Sequence, residues 1–163
     1  MALREILLWP DARLSTRCAP VTEITAEIRS LVSDMFDTMY DAPGRGLAGP
    51  QVGAMLRLFV MDATWKEGTR SPLVAINPEI TAMSDEACEM DEGCLSIPGI
   101  TATVTRPMRI TLSWTDLDGG RHSCEMEGAE ARIAQHEYDH LDGLVHFDRL
   151  DAKTRARLEE AYA

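Results

Sequence analysis

No stretch of this chain approaches the ~20 consecutive apolar residues of a membrane-spanning helix. The opening MALREILLWPDARL has too short an apolar run for a secretory signal, and a proline and an acid follow at once. Basic residues are scarce, 16 against 27 acidic, leaving a net charge of -11. Such a surface repels phosphate backbones and anionic lipid, so neither direct nucleic-acid binding nor membrane attachment is expected. The four cysteines, Cys18, Cys88, Cys94 and Cys124, show no C-x-x-C spacing. The expected location is the cytoplasm, where they are free thiols or metal ligands rather than disulfides. Repeats, low-complexity segments and linkers are also lacking. A chain of 163 residues, 45% apolar and 26% charged, is therefore expected to fold as one domain, residues 1–163.

Periodicity supplies the elements. Thr25-Ala26-Glu27 opens a helix in which Ile28, Leu31, Val32, Met35, Phe36 and Met39 recur at helical spacing, and Asp41-Ala42-Pro43-Gly44 ends it. Leu58 to Met61 reads as a buried strand, and Leu73 to Ile76 as another, stopped by Asn77-Pro78. Ile100, Ala102 and Val104 alternate with threonines. Ile110, Leu112 and Trp114 alternate likewise, before a hairpin turn at Asp118-Gly119-Gly120. A second helix is expected from Gly128 to Leu141, stopped by Gly143, and a short amphipathic one from Ala152 to Tyr162. This order predicts an α+β fold with small mixed or antiparallel sheets.

Residues 44 to 49, Gly-Arg-Gly-Leu-Ala-Gly, fit the dinucleotide-binding pattern G-x-G-x-x-G. That fingerprint needs a strand before the glycines and a helix after them. Here a helix precedes, a strand follows, and Pro50 falls where the binding helix should start. The phosphate-loop reading fails on context.

His136-Glu137-Tyr138-Asp139-His140 spells H-E-x-x-H within the second helix. Four residues apart, His136 and His140 lie one above the other and can chelate one divalent metal. Glu137 sits about 100 degrees round, placed to take a proton from water at the metal. A third ligand is needed. Downstream candidates are His146, Asp148 and Glu159, but the longer H-E-x-x-H-x-x-G-x-x-H pattern is absent. The third ligand is therefore expected upstream, and Cys94, between Gly93 and Pro98 in a rigid turn read from Glu92 to Gly99, is the best candidate. Cys18, Cys88 and Cys124 are read as small buried hydrophobes. The fold is expected to close around the metal-binding helix.

Gly44 to Gln51, Glu92 to Pro98 and Gln135 to Gly143 resemble, in order and spacing, the three signature motifs of the peptide deformylase family. Ile6 to Leu14 and Asn77 to Ile80 are similar to that family too, so the likeness covers nearly the whole chain. It implies a hydrolase that removes the formyl group from the N-terminal formyl-methionine of new polypeptides, with nascent chains at the ribosome as partners. By this likeness Cys94, His136 and His140 hold the metal, usually ferrous iron, with zinc, nickel or cobalt as substitutes. Glu137 acts as acid and base, while the Gln51 side chain and the Leu95 backbone N–H stabilise the oxyanion. Gly46, Arg45 and Gly93 are the implied substrate-binding residues, Gly46 letting the substrate backbone lie close. Glu92 is either a surface acid or a brace for its motif.

Two positions depart from the family loop: Arg45 stands at a usually hydrophobic position, and Gly49 at an alanine. They motivate an alternative, a related metal amidase acting on another small N-formyl or N-acyl compound. A further alternative keeps the metal as a staple and binds formylated termini without cleaving them; the intact Glu137 and Gln51 speak against it.

Overall fold

The computed structural model describes residues 2–163. Helix α1 (Ala26–Asp41) starts where Thr25 Oγ1 accepts the Ile28 N–H, the expected cap. Strands β1 (Gly46–Ala48), β2 (Leu58–Met61), β3 (Leu73–Met83), β6 (Arg109–Thr115) and β7 (Arg121–Glu127) form a five-stranded sheet in the order β1-β2-β3-β6-β7. Strands β4 (Ala87–Cys94) and β5 (Ile97–Pro107) pair with each other alone. Every ladder is antiparallel. Helices α2 (Gly128–Leu141) and α3 (Ala152–Tyr162) complete the chain.

Period-two alternation builds the layers. Leu47, Leu58, Val60 and Ile76 face α1, where Leu31, Val32, Met35 and Met39 meet them in one buried cluster. Their neighbours Ala48, Phe59, Met61 and Ala75 point through the other face, onto Ala131, Ala134 and Leu141 of α2. Helix α2 thus lies between the large sheet and the β4–β5 hairpin. A third cluster, Cys94, Ile97, Val145 and Phe147, is covered by Trp9, Leu158 and Tyr162, so α3 closes over the N-terminal segment.

Two expectations about strands need correction. β3 does not stop at Asn77-Pro78 but runs through it with a register shift between Ile76 and Glu79. Asn77 takes φ 48, a left-handed conformation that asparagine tolerates. Its side chain meanwhile bonds both the N–H and the carbonyl of Val21 at 2.8 Å. The bulge accommodates the proline. Glu92 to Gly99 is also no simple turn: Cys94 ends β4, and Leu95-Ser96 makes the hairpin turn into β5. Among the cysteines read as buried, Cys18 is buried, Cys88 half-buried and Cys124 exposed on the edge strand β7.

Candidate metal centre and active site

The three proposed metal ligands come from two elements that meet. Helical spacing sets His136 and His140 on one face of α2, with ring centroids 5.0 Å apart. The last residue of β4 brings Cys94 to them, its Sγ 3.5 Å from His140 Nε2. All three are buried, and their donor atoms lie within 4.8 Å of one another. A thiolate and two imidazoles are a donor set that borderline-soft divalent metals accept. Nδ1 of His136 is bonded to Glu92 Oε1 at 2.8 Å, leaving Nε2 for a ligand, as second-sphere carboxylates do at metal-binding histidines. The residues present fit a metal. The downstream candidates do not join the group: Asp148 and Glu159 both pair with Arg155. His146 is buried with its ring centroid 5.9 Å from that of His136.

Glu92 belongs to the interior, which settles its reading in favour of a brace. It accepts hydrogen bonds from Arg106 and Arg132 as well as facing His136. Asp139 continues the network, taking one bond from Arg106 and two from Arg149. Burial opposes the charge on Glu92, but His136 and Arg106 outweigh it and hold its carboxyl well below the usual carboxylate range. Burial likewise opposes a charge on His136, yet Glu137, Cys94 and Glu92 raise it well above the usual imidazole range. A metal held at Nε2 would have to displace the proton there. His140 is pushed well down, by burial first and then by His136.

Glu137 and Gln51 complete the floor. Glu137 is buried, its Oε1 lacks any hydrogen-bond partner, and burial pushes its carboxyl up to about 7. Gln51 lies in a tight turn after β1. Its Oε1 accepts the Ala48 N–H at 2.9 Å, which fixes the amide so that Nε2 faces Ser96 Oγ at 3.0 Å and Cys94 Sγ at 3.8 Å. These groups open onto a cavity of ≈ 710 Å³ that Arg45, Gly46, Gly93 and Leu95 also line.

The glycines of the loop have their own reasons. A Cβ at Gly46 would stand 2.5 Å from Glu137 Oε2; whatever else approaches it, the carboxylate already occupies that space. A Cβ at Gly49 would meet the carbonyl oxygens of Ala54 and Leu56 at 2.7 and 2.9 Å. Its departure from the family alanine is thus a matter of backbone packing, away from the cavity. Beside Gly93 there is open space. Arg45 turns outward, with Nη2 3.5 Å from Glu67 Oε1.

Sequence reasoning missed Ser96, Arg106, Arg132, Asp139 and Arg149. Two signals were available. Arg106 continues the inward phase of Ala102 and Val104, and Arg132 precedes His136 by one helical turn; a cation at such positions calls for a buried partner.

Comparisons with known proteins bear on the family and the fold. The sequence profile of the polypeptide deformylase family matches residues 3–156. A peptide deformylase of Afipia carboxidovorans is 46% identical over 99% of this chain and 95% of its own length. One from Rhodopseudomonas palustris is 48% identical over 96% and 90%. Among solved structures, a peptide deformylase from Ehrlichia chaffeensis in complex with actinonin superposes with a TM-score of 0.93 at 38% identity, covering 99% of this chain and 96% of that one. The Legionella pneumophila peptide deformylase gives 0.92 at 39%, covering 98% and 93%. In sequence and in fold alike, this chain belongs to the peptide deformylase family.

Proposed function

We infer that the chain is a single catalytic domain, residues 1–163, hydrolysing the N-formyl group from formyl-methionine at the start of new polypeptides. The observation that carries the reading is the convergence of Cys94, His136, Glu137 and Gln51 on the floor of one cavity, with His140 fully buried beside Cys94. Cys94, His136 and His140 would hold the metal, which polarises the formyl oxygen and makes water acidic enough to be deprotonated near neutrality. Glu137 has a buried, unpartnered oxygen and a carboxyl raised to about 7, suited to accept a proton from water at Oε1 and hand it to the departing amine. Gln51 Nε2, its orientation locked by Ala48, would donate to the oxyanion, with the Leu95 N–H as second donor. Gly46, Arg45 and Gly93 would flank the substrate, Gly46 also leaving room for Glu137.

Ferrous iron is the proposed resident metal, with zinc, nickel or cobalt as substitutes. The support is the family likeness and the thiolate-bis-imidazole donor set. A ferrous thiolate centre of this kind is oxidisable, so the iron-loaded protein is expected to lose activity in air while a zinc-loaded one does not. The proposed partner is the formylated end of nascent chains, in the cytoplasm. The net charge of -11 supports the absence of direct nucleic-acid contact, and no described helix is long and apolar enough to cross a membrane. The test is formate release from formyl-Met-Ala-Ser under anaerobic metal loading. Metal-replete protein that releases no formate would sink the reading and favour a metal-stapled binder.

A further inference from the structure

In an acidic chain, most arginines are matched to carboxylates or carbonyls; of two cations that line the active-site cavity, one has only a long, exposed pairing and the other has none among the described residues. Arg45 and Lys66 both line it. Among the described residues Arg45 makes one ion pair, with Glu67, 3.5 Å away on a side chain 63% exposed, and Arg45 Nε is buried with no partner. Lys66 makes no ion pair among the described residues; its Nζ lies 5.7 Å from the Trp65 ring centroid. The backbone beneath them is fixed. Trp65 Nε1 donates to the Gly44 carbonyl at 2.9 Å, and the Asp62 N–H donates to the Arg45 carbonyl at 2.9 Å. Tyr40 packs edge-on against Trp65 and bonds Asp62.

Direction matters as much as charge. The Cβ positions of Gly44 and Gly46 aim at Leu95 and at Glu137, so between them the Arg45 side chain leaves the other way, towards Glu67. That side chain is 38% exposed where it lines the cavity, directed away from Glu137. None of the cavity's own carboxyl groups is ion-paired to either cation among the described residues: Glu92 is bonded by Arg106, Arg132 and His136, Asp91, on β4, accepts from Thr103, and Glu137 belongs to α2.

We propose that Arg45 and Lys66 form a carboxylate-binding rim, giving preference to formylated peptides with a carboxylate one or two residues beyond the formylated one. This rests on the deformylase reading and narrows its substrate class. The carboxylate can be an acidic side chain or the free C-terminus of a short peptide, and the two sources separate by substrate. Formate release is compared for formyl-Met-Asp-Ala-amide against formyl-Met-Asn-Ala-amide, and for formyl-Met-Ala against its C-terminal amide. The acid should exceed its neutral partner in kcat/KM by about three- to tenfold at low salt for at least one pair, as two partly exposed ion pairs allow. The ratio should shrink at high salt. Arg45→Met, which keeps the methylenes, and Lys66→Met should each move it towards one, whatever happens to the absolute rate. A ratio at or below one in the unaltered chain, or a ratio untouched by both substitutions, overturns the proposal.

Calorimetric binding of the same pairs to the Glu137→Gln chain reads the rim without turnover. If no substrate releases formate but acid still binds better than amide, the rim stands and the deformylase reading falls. Turnover of all substrates with no acid preference does the reverse.

Discussion

At Gly46 the chain has no room for a methyl group, because Glu137 Oε2 would lie 2.5 Å from it. The obstructing atoms, Oε2, Cδ and Cγ, all belong to that one side chain rather than to backbone, so Gly46→Ala should fold and bind metal, but with the carboxylate pushed aside. Misplacing a catalytic group by about 1 Å costs on the order of 10²-fold; formate-release kcat should drop by at least tenfold with the denaturant midpoint nearly unchanged. Gly49 is the opposite case. Its obstacles are backbone carbonyls, so Gly49→Ala is expected to destabilise by about 1–3 kcal/mol while the surviving folded fraction keeps its kcat. Equal, small effects of the two substitutions on both readouts would show that the contacts were misjudged. Removing the carboxylate altogether gives the reference: Glu137→Ala should keep its metal by elemental analysis and lose about 10²–10⁴-fold in rate. The sequence could point to Glu137, since H-E-x-x-H fixes its angle on the helix. It could not say why Gly46 is glycine, because that contact joins residues ninety-one positions apart.

Helix α2 presents two chemically different faces, and this division organises the site. Ala131, Ala134 and Leu141 join the apolar cluster against the large sheet. Arg132 and Gln135 instead reach the hairpin with hydrogen bonds to the Val104 and Pro107 carbonyls. Glu92 sits where that polar face meets β4, among two arginines and His136. Glu92→Gln retains an acceptor but removes the charge, and metal affinity, read by competition with a chromogenic chelator, should fall by about 10–100-fold. Glu92→Ala should in addition destabilise by about 3–5 kcal/mol, since Arg132 stays buried without a counter-charge and Arg106 keeps only Asp139. Unchanged metal affinity in both would remove Glu92 from the support of His136. The boundaries of α2 were legible because apolar periodicity and Gly143 at its end agree. β4 was not: Ala87 to Cys94 is largely exposed, so no apolar alternation marks it, and only pairing with β5 makes it a strand. Register across that hairpin, which delivers Cys94 to the histidines, is a tertiary fact that local pattern cannot carry.

For the molecule as a whole, the hairpin is joined to α2 by the buried polar network and by the ligand group that spans them, and to the segment after α2 by the cluster of Cys94, Ile97, Val145 and Phe147. The five-stranded sheet, by contrast, is held on both faces by continuous apolar layers. A metal at Cys94, His136 and His140 would therefore act as a cross-link at the one junction that is largely polar. Because a ligand bound to the folded state alone stabilises by RT ln(1 + [L]/Kd), free metal at a thousand times its Kd contributes about 4 kcal/mol. Chelation should lower Tm accordingly, and re-addition of zinc should restore it. The loss should also be uneven. Amide exchange is expected to accelerate most at the Cys94 end of β4, in the Leu95-Ser96 turn and in the second half of α2, with little change in α1 and β2, whose protection comes from the apolar layers. Uniform acceleration across α1 and β2 as well would mean that the layers and the hairpin unfold as one unit, and that the polar junction is not the weak seam of the fold.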